Sequence, residues 1–105
     1  MMTVAQFAEA VHQYERHFGA SETSGFRTPV HNRFEGGQPD SAHLFGLARD
    51  LVYDGAVPPL NDVQSFAAPL GLMVIRETDK PHDHIQPTGW KVWVAEHADL
   101  IPRVT

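Results

Sequence analysis

Cysteine is absent from all 105 residues. That excludes disulfides, thiol nucleophiles, Cys-based redox motifs and every zinc motif built on thiolate, leaving His and carboxylates as the only candidate metal ligands. Long apolar runs are also missing: no stretch approaches the roughly 18 residues a membrane span requires. The N-terminal MMTVAQFAEAVHQYERHFG has neither a basic n-region nor an apolar h-region. The expectation is a chain made in the cytosol without a membrane span, which would need release or separate export to act outside. Positive charge is scarce, with 8 Lys and Arg against 13 Asp and Glu and a net charge of -5. The basic residues form no stripe, so nucleic acid is a poor candidate partner. Histidine, by contrast, occurs seven times. A chain of 105 residues can bury roughly 65% of its unfolded surface, so a single domain over 1–105 that needs no staples is expected.

Val4, Phe7, Ala8, Val11, Tyr14 and Phe18 recur at helical spacing, with Thr3 and Gln6 as a capping box and Gly19 as a left-handed stop. His12 and His17 on this helix have no spacing that brings them together, so both read as packing or surface residues. Residues 20–39 turn to Ser, Thr, Gly, Pro and Asn, predicting irregular backbone with one short helix after Pro29. LARDLVY reads as a strand ended by Asp54-Gly55, Leu60 to Leu70 as a second helix, and LMVIRE as a strand. HDHIQ and WKVWVAE read as two further strands split by Pro87-Thr88-Gly89. The predicted class is α+β, with helices packed on an antiparallel sheet.

Two short stretches carry candidate chemistry. In SAHLFGLARD, His43 and Asp50 would lie ~10 Å apart along a continuous helix, too far to share an ion. Gly46 between them favours a sharp turn instead, which lets a strand carrying Asp50 fold back toward His43. On that strand Asp50 shares a face with Ala48 and Val52, where a buried carboxylate requires a partner. In DKPHDHIQ, alternation puts His82, His84 and Gln86 on one strand face. Two His and one carboxylate with an open fourth position is the donor set of catalytic rather than structural zinc. Trp90 and Trp93 read as facing opposite sides of a strand, and His97 as lacking a visible partner.

The run SGFRTPVHNRFEGGQPDSAHLFGLARDLVY resembles the signature of the zinc D-Ala-D-Ala carboxypeptidase and L-Ala-D-Glu peptidase family. Its pattern is S-G-F/Y-R-S/T-P, an Asn, a Gly-Gly turn and S-x-H-x-x-G-x-A-x-D. Arg27, Asn32, Gly36, Gly37, Ser41, His43, Gly46, Ala48 and Asp50 match it in order, and the likeness extends through the H-x-H-like strand to about residue 86. The resemblance implies a Hedgehog/DD-peptidase-like fold, a Zn2+ cofactor and peptidoglycan stem peptide as substrate. It implies His43 and Asp50 as zinc ligands, Arg27 on a substrate carboxylate or the polarised carbonyl, and Ser41 lining the cleft. Two endings fit the third ligand: His84 with His82 as base, or His82 with Asp79 as base. His84 is preferred because HIQ continues an alternating strand. Pro81 occupies the position three before His84 where some members carry Glu, so Asp79 and His82 both stand as candidate bases.

The expected activity is hydrolysis of a stem-peptide bond involving D-amino acids, by an endolysin-like enzyme of phage or prophage type that acts on the wall after release or is carried in a virion. The rival is a non-catalytic wall-binding or virion module on the same fold. For Arg27, a bridge to Glu35 or Asp40 is the alternative to a substrate role.

Overall fold

The structure is a computed structural model that describes residues 1–34, 41–77, 79–80 and 82–100. The Gly36-Gly37 turn, Glu35, Asp40 and Pro81 lie outside the described residues. Helix α1 (Val4–Phe18) begins at the Thr3 capping box with Gln6 and ends at Gly19, whose φ of 65° is left-handed. Strand β1 (Ala20–Ser24) follows, then the short helix α2 (Pro29–Phe34) and a 3-10 turn over Ala42–Phe45. Strand β2 (Arg49–Tyr53), helix α3 (Leu60–Ala67) with a 3-10 extension to Leu70, and strand β3 (Leu72–Arg76) come next. Strand β4 (Asp83–Pro87), helix α4 (Trp90–Glu96) and a last 3-10 turn over Ala98–Leu100 complete the described chain.

The strands form one antiparallel sheet in the order β1-β2-β4-β3. The class is therefore α+β, as composition and patterning predict. Asp50 pairs with His84 across β2 and β4, and His84 with Ile75 across β4 and β3. Directly opposed residues share a sheet face, so Asp50, His84 and Ile75 project to one side. Leu51, Asp83 and Arg76 project to the other. On that second side Phe7, Val11 and Tyr14 of α1 and Val63 and Ala67 of α3 join Leu51, Leu72, Val74 and Ile85 in the buried core. Burying side chains of this size stabilises by about 1.5–3 kcal/mol each. One sheet face thus carries the packed core, and the other carries Asp50 and His84.

Two expectations need correction. WKVWVAE is helix α4 rather than a strand. Its buried residues are Trp90 and Val94, an i,i+4 pair that defines a helical face, and a short apolar run cannot be assigned by periodicity alone. Trp90 and Trp93 consequently stack, with centroids 5.2 Å apart and 22° between planes, instead of facing opposite sides. His97 also has partners: its ring lies 4.3 Å from that of Trp93, and its Nδ1–H donates to the Trp93 carbonyl at 2.8 Å. The second correction concerns residues 20–24, read as irregular but folded as β1. ASETS lacks an apolar alternation because it is an edge strand with its middle residues exposed, ordered by its pairing with β2.

Candidate metal centre

Local structure explains how His43 and Asp50 escape the helical spacing. Ser41 caps the 3-10 turn, its Oγ accepting from the His43 N–H at 3.2 Å, and Gly46 ends the turn at φ 71°. A side chain at that backbone angle would be strained, so Gly46 is what lets the chain reverse into β2. The backbone N–H of Arg27 donates to the His43 carbonyl at 3.0 Å. His43 Nδ1–H donates in turn to the Gly25 carbonyl at 2.6 Å. The stretch 25–27 and the 3-10 turn are thereby locked together around one imidazole.

Asp50 is the hub. Its Oδ2 lies 3.0 Å from Arg27 Nη2 and 3.3 Å from His43 Nε2. Its Oδ1 lies 3.1 Å from His84 Nδ1 and 3.8 Å from His82 Nε2. Burial disfavours ionisation of this carboxyl, but the imidazoles of His43 and His84 set against it outweigh burial and hold Asp50 well below the usual carboxylate range. Arg27 is fixed further by donating from Nε to Ser24 Oγ at 3.2 Å and from Nη1 to the Asn32 Oδ1 at 3.5 Å. Asn32, the Asn of the sequence signature, is itself buried.

The donor set fits a divalent cation. Ligand atoms of His43, Asp50 and His84 all lie within 4.8 Å of one another. Each imidazole reaches its own oxygen of the carboxylate, His43 Nε2 at 3.3 Å from Oδ2 and His84 Nδ1 at 3.1 Å from Oδ1. The outward nitrogens are already committed: His43 Nδ1–H to Gly25, and His84 Nε2–H to Gln86 Oε1 at 2.8 Å. A neutral imidazole then turns its remaining lone pair inward. Two such lone pairs beside a carboxylate repel unless a proton or a cation sits among them, and outward hydrogen bonds of this kind are what orient metal-bound His.

Of the residues singled out in the sequence, Arg27, His43, Asp50, His82 and His84 converge. Ser41 contacts the group through the His43 backbone. Asp79 is exposed in the turn before β4, and among the described residues no hydrogen bond or ion pair joins it to Asp50 or the histidines. His82, a quarter exposed, stands at the edge of the cluster. Gly25 and Gln86 carry contacts to the histidines that sequence reasoning did not assign. Alternation already placed Gln86 on the face of His84, whereas a backbone carbonyl such as that of Gly25 leaves no signal in side-chain types.

Behind the site, on the core face of the sheet, a second polar group anchors β4. Arg76 donates to both oxygens of Asp83 at 2.9 and 2.8 Å. Tyr53 Oη donates to Asp83 Oδ2 at 2.6 Å, and the Tyr14 and Tyr53 hydroxyls are 2.6 Å apart. Burial pushes the Tyr14 phenol up to about 12. Burial also opposes the charge on Asp83, but Arg76 and Tyr53 prevail and hold it below the ordinary carboxylate value.

The family model described as Peptidase M15 matches residues 1–82. His43 and Asp50 fall inside the matched span, and His84 falls just beyond it. No curated protein and no solved structure matches the chain.

Proposed function

This chain belongs to the Peptidase M15 family, and from that premise we propose that it is a zinc-dependent peptidase hydrolysing a bond of the peptidoglycan stem peptide. The observation that carries the reading is the convergence on Asp50, where two imidazoles and a guanidinium meet one buried carboxylate. We assign His43, Asp50 and His84 as the ligands of Zn2+. Bound there, zinc would supply a Lewis acid that acidifies water and polarises a peptide carbonyl.

The remaining roles belong to side chains around the ligands. Arg27 carries a permanent charge on a planar fork suited to a carboxylate or a developing oxyanion. We assign to His82, whose Nε2 lies 3.8 Å from Asp50 Oδ1, the role of taking a proton from attacking water and returning it to the leaving amine. That distance favours His82 over Asp79 as the base, and the separation of 3.1 Å between His84 and Asp50 favours His84 over His82 as the ligand. Ser41, at the start of the 3-10 turn, would border the substrate.

A second reading, a wall-binding module without catalysis, draws on the engagement of Arg27, whose donors already serve Asp50, Ser24 and Asn32. One experiment separates the two. The zinc-loaded protein is incubated with purified peptidoglycan of several stem types, with and without chelator, and new termini are identified by mass spectrometry. Chelator-sensitive cleavage is expected. Sedimentation with the wall but no product from any stem type would favour the binding module.

A further inference from the structure

We propose that Gln86 is a positioning residue for the metal centre, fixing which nitrogen of His84 is presented to the cation. The inference rests on the reading that His43, Asp50 and His84 together hold that cation. A neutral imidazole has one N–H and one lone pair, and only the lone pair can ligate. The two histidines secure this arrangement by different means. His43 uses the Gly25 carbonyl, an acceptor that no side-chain substitution at residue 25 deletes. His84 uses the side chain of Gln86, two residues along the same strand, with Oε1 at 2.8 Å from its Nε2.

Gln86 is 6% exposed and lies on β4 between β2 and β3, its backbone paired with Met73. Without its acceptor, His84 can move its proton to Nδ1 and donate directly to Asp50 Oδ1, already 3.1 Å away. That tautomer satisfies the carboxylate and leaves no lone pair facing the site, so it competes with the cation. Gln also differs from a carboxylate in charge. It supplies the acceptor while leaving Asp50 as the single anion among the ligands and their partners.

The test uses zinc affinity, measured by competition with a chromophoric chelator, and thermal melts of the metal-free proteins. Gln86→Met keeps length and volume but removes the acceptor, and a 10–100-fold loss of affinity is expected, as is typical of outer hydrogen-bond partners. Gln86→Glu restores an acceptor and should bind at least as tightly as the wild type. The metal-free melts of both variants should match the wild type. Equal affinity of Gln86→Met and wild type would overturn the proposal, as would a Gln86→Glu variant as weak as Gln86→Met. A fall in the metal-free melt that accounts for the lost affinity would do the same. A measurement on unaltered protein stands beside these. After 113Cd substitution, 15N coupling should appear at Nδ1 of His84, and coupling at Nε2 would contradict the assignment. A wild type that binds less than one equivalent of zinc would remove the metal reading itself, an outcome distinct from a wild type that binds fully while Gln86→Met binds equally well.

Discussion

His84 Nδ1 lies 3.1 Å from Asp50 Oδ1 because the two residues are directly opposed across β2 and β4. Neither side chain has to reach for the other, since the register of the sheet brings them together. His43 joins from a turn rather than a strand, held by the Gly25 carbonyl and the Arg27 amide. Two of the candidate ligands are thus as rigid as the sheet, and the third is as rigid as the loop that clasps it.

Removing either end of this arrangement should abolish stoichiometric metal. His43→Ala and Asp50→Ala are each expected to weaken zinc binding by more than about 100-fold, beyond the range seen for outer partners. Metal content after gel filtration reads this directly, and a full equivalent retained by either variant would show the ligand assignment to be wrong.

Acid should loosen the fold from two carboxylates at once. Asp50 and Asp83 both have folded-state values below their ordinary 3.8. A depressed carboxyl contributes stability that is present above its unfolded value and is lost as pH falls through the folded one. Urea midpoints should therefore hold steady down to about pH 5 and fall below ~pH 4, with the loss continuing as the pH drops further. Asp83→Ala, which strands Arg76 and Tyr53, should cost about 3 kcal/mol at pH 7 and flatten the acid dependence. An unchanged slope below ~pH 4 in that variant would rule out Asp83 as a source of it.

The parts of the molecule that could be read in advance are those governed by local rules. Helix α1 announces itself through Thr3, Gln6 and Gly19 because capping and stop signals are contained within a few residues. Strands β2 and β3 follow from apolar and β-branched content, and β4 from alternation in HDHIQ before the turn signal Pro87-Thr88-Gly89. Strand β1 was hidden because ASETS is ordered by its neighbour and not by its own pattern. Helix α4 was hidden because Trp90, Trp93 and Val94 fit both a strand and a helix over so short a run. At the site, residue types disclosed His43, Asp50 and the pair in DKPHDH, but sequence alone could not rank His82 and His84. What separates the two is register, since β4 sets His84 opposite Asp50 and leaves His82 just before the strand begins.

Arg27 touches Asp50 and is only 12% exposed, so its loss could act through the ligand or through the substrate. If it meets the substrate, Arg27→Lys should keep zinc within about tenfold of wild type while turnover drops roughly 100-fold, the scale of removing one oxyanion donor. Lys retains charge but not the fork that serves Asp50, Ser24 and Asn32 together. Parallel loss of zinc and turnover would instead mark Arg27 as a group that only orients Asp50.

The last choice is between His82 and Asp79 as the base. His82 Nε2 is 3.8 Å from Asp50 Oδ1, which puts its imidazole at the edge of the candidate ligands, where it could take a proton from water. Asp79 is exposed in the preceding turn. A positioned base contributes about 10²–10⁴-fold, so His82→Ala should lose turnover on that scale with zinc affinity within tenfold of wild type. Asp79→Ala should leave both quantities within about twofold, as is usual for an exposed position away from reacting groups. The zinc measurement matters as much as the rate, because it separates a lost base from a lost ligand. Should Asp79→Ala abolish turnover and His82→Ala release the zinc, the roles would belong to the D-x-P-H arrangement, with His82 as ligand and Asp79 as base.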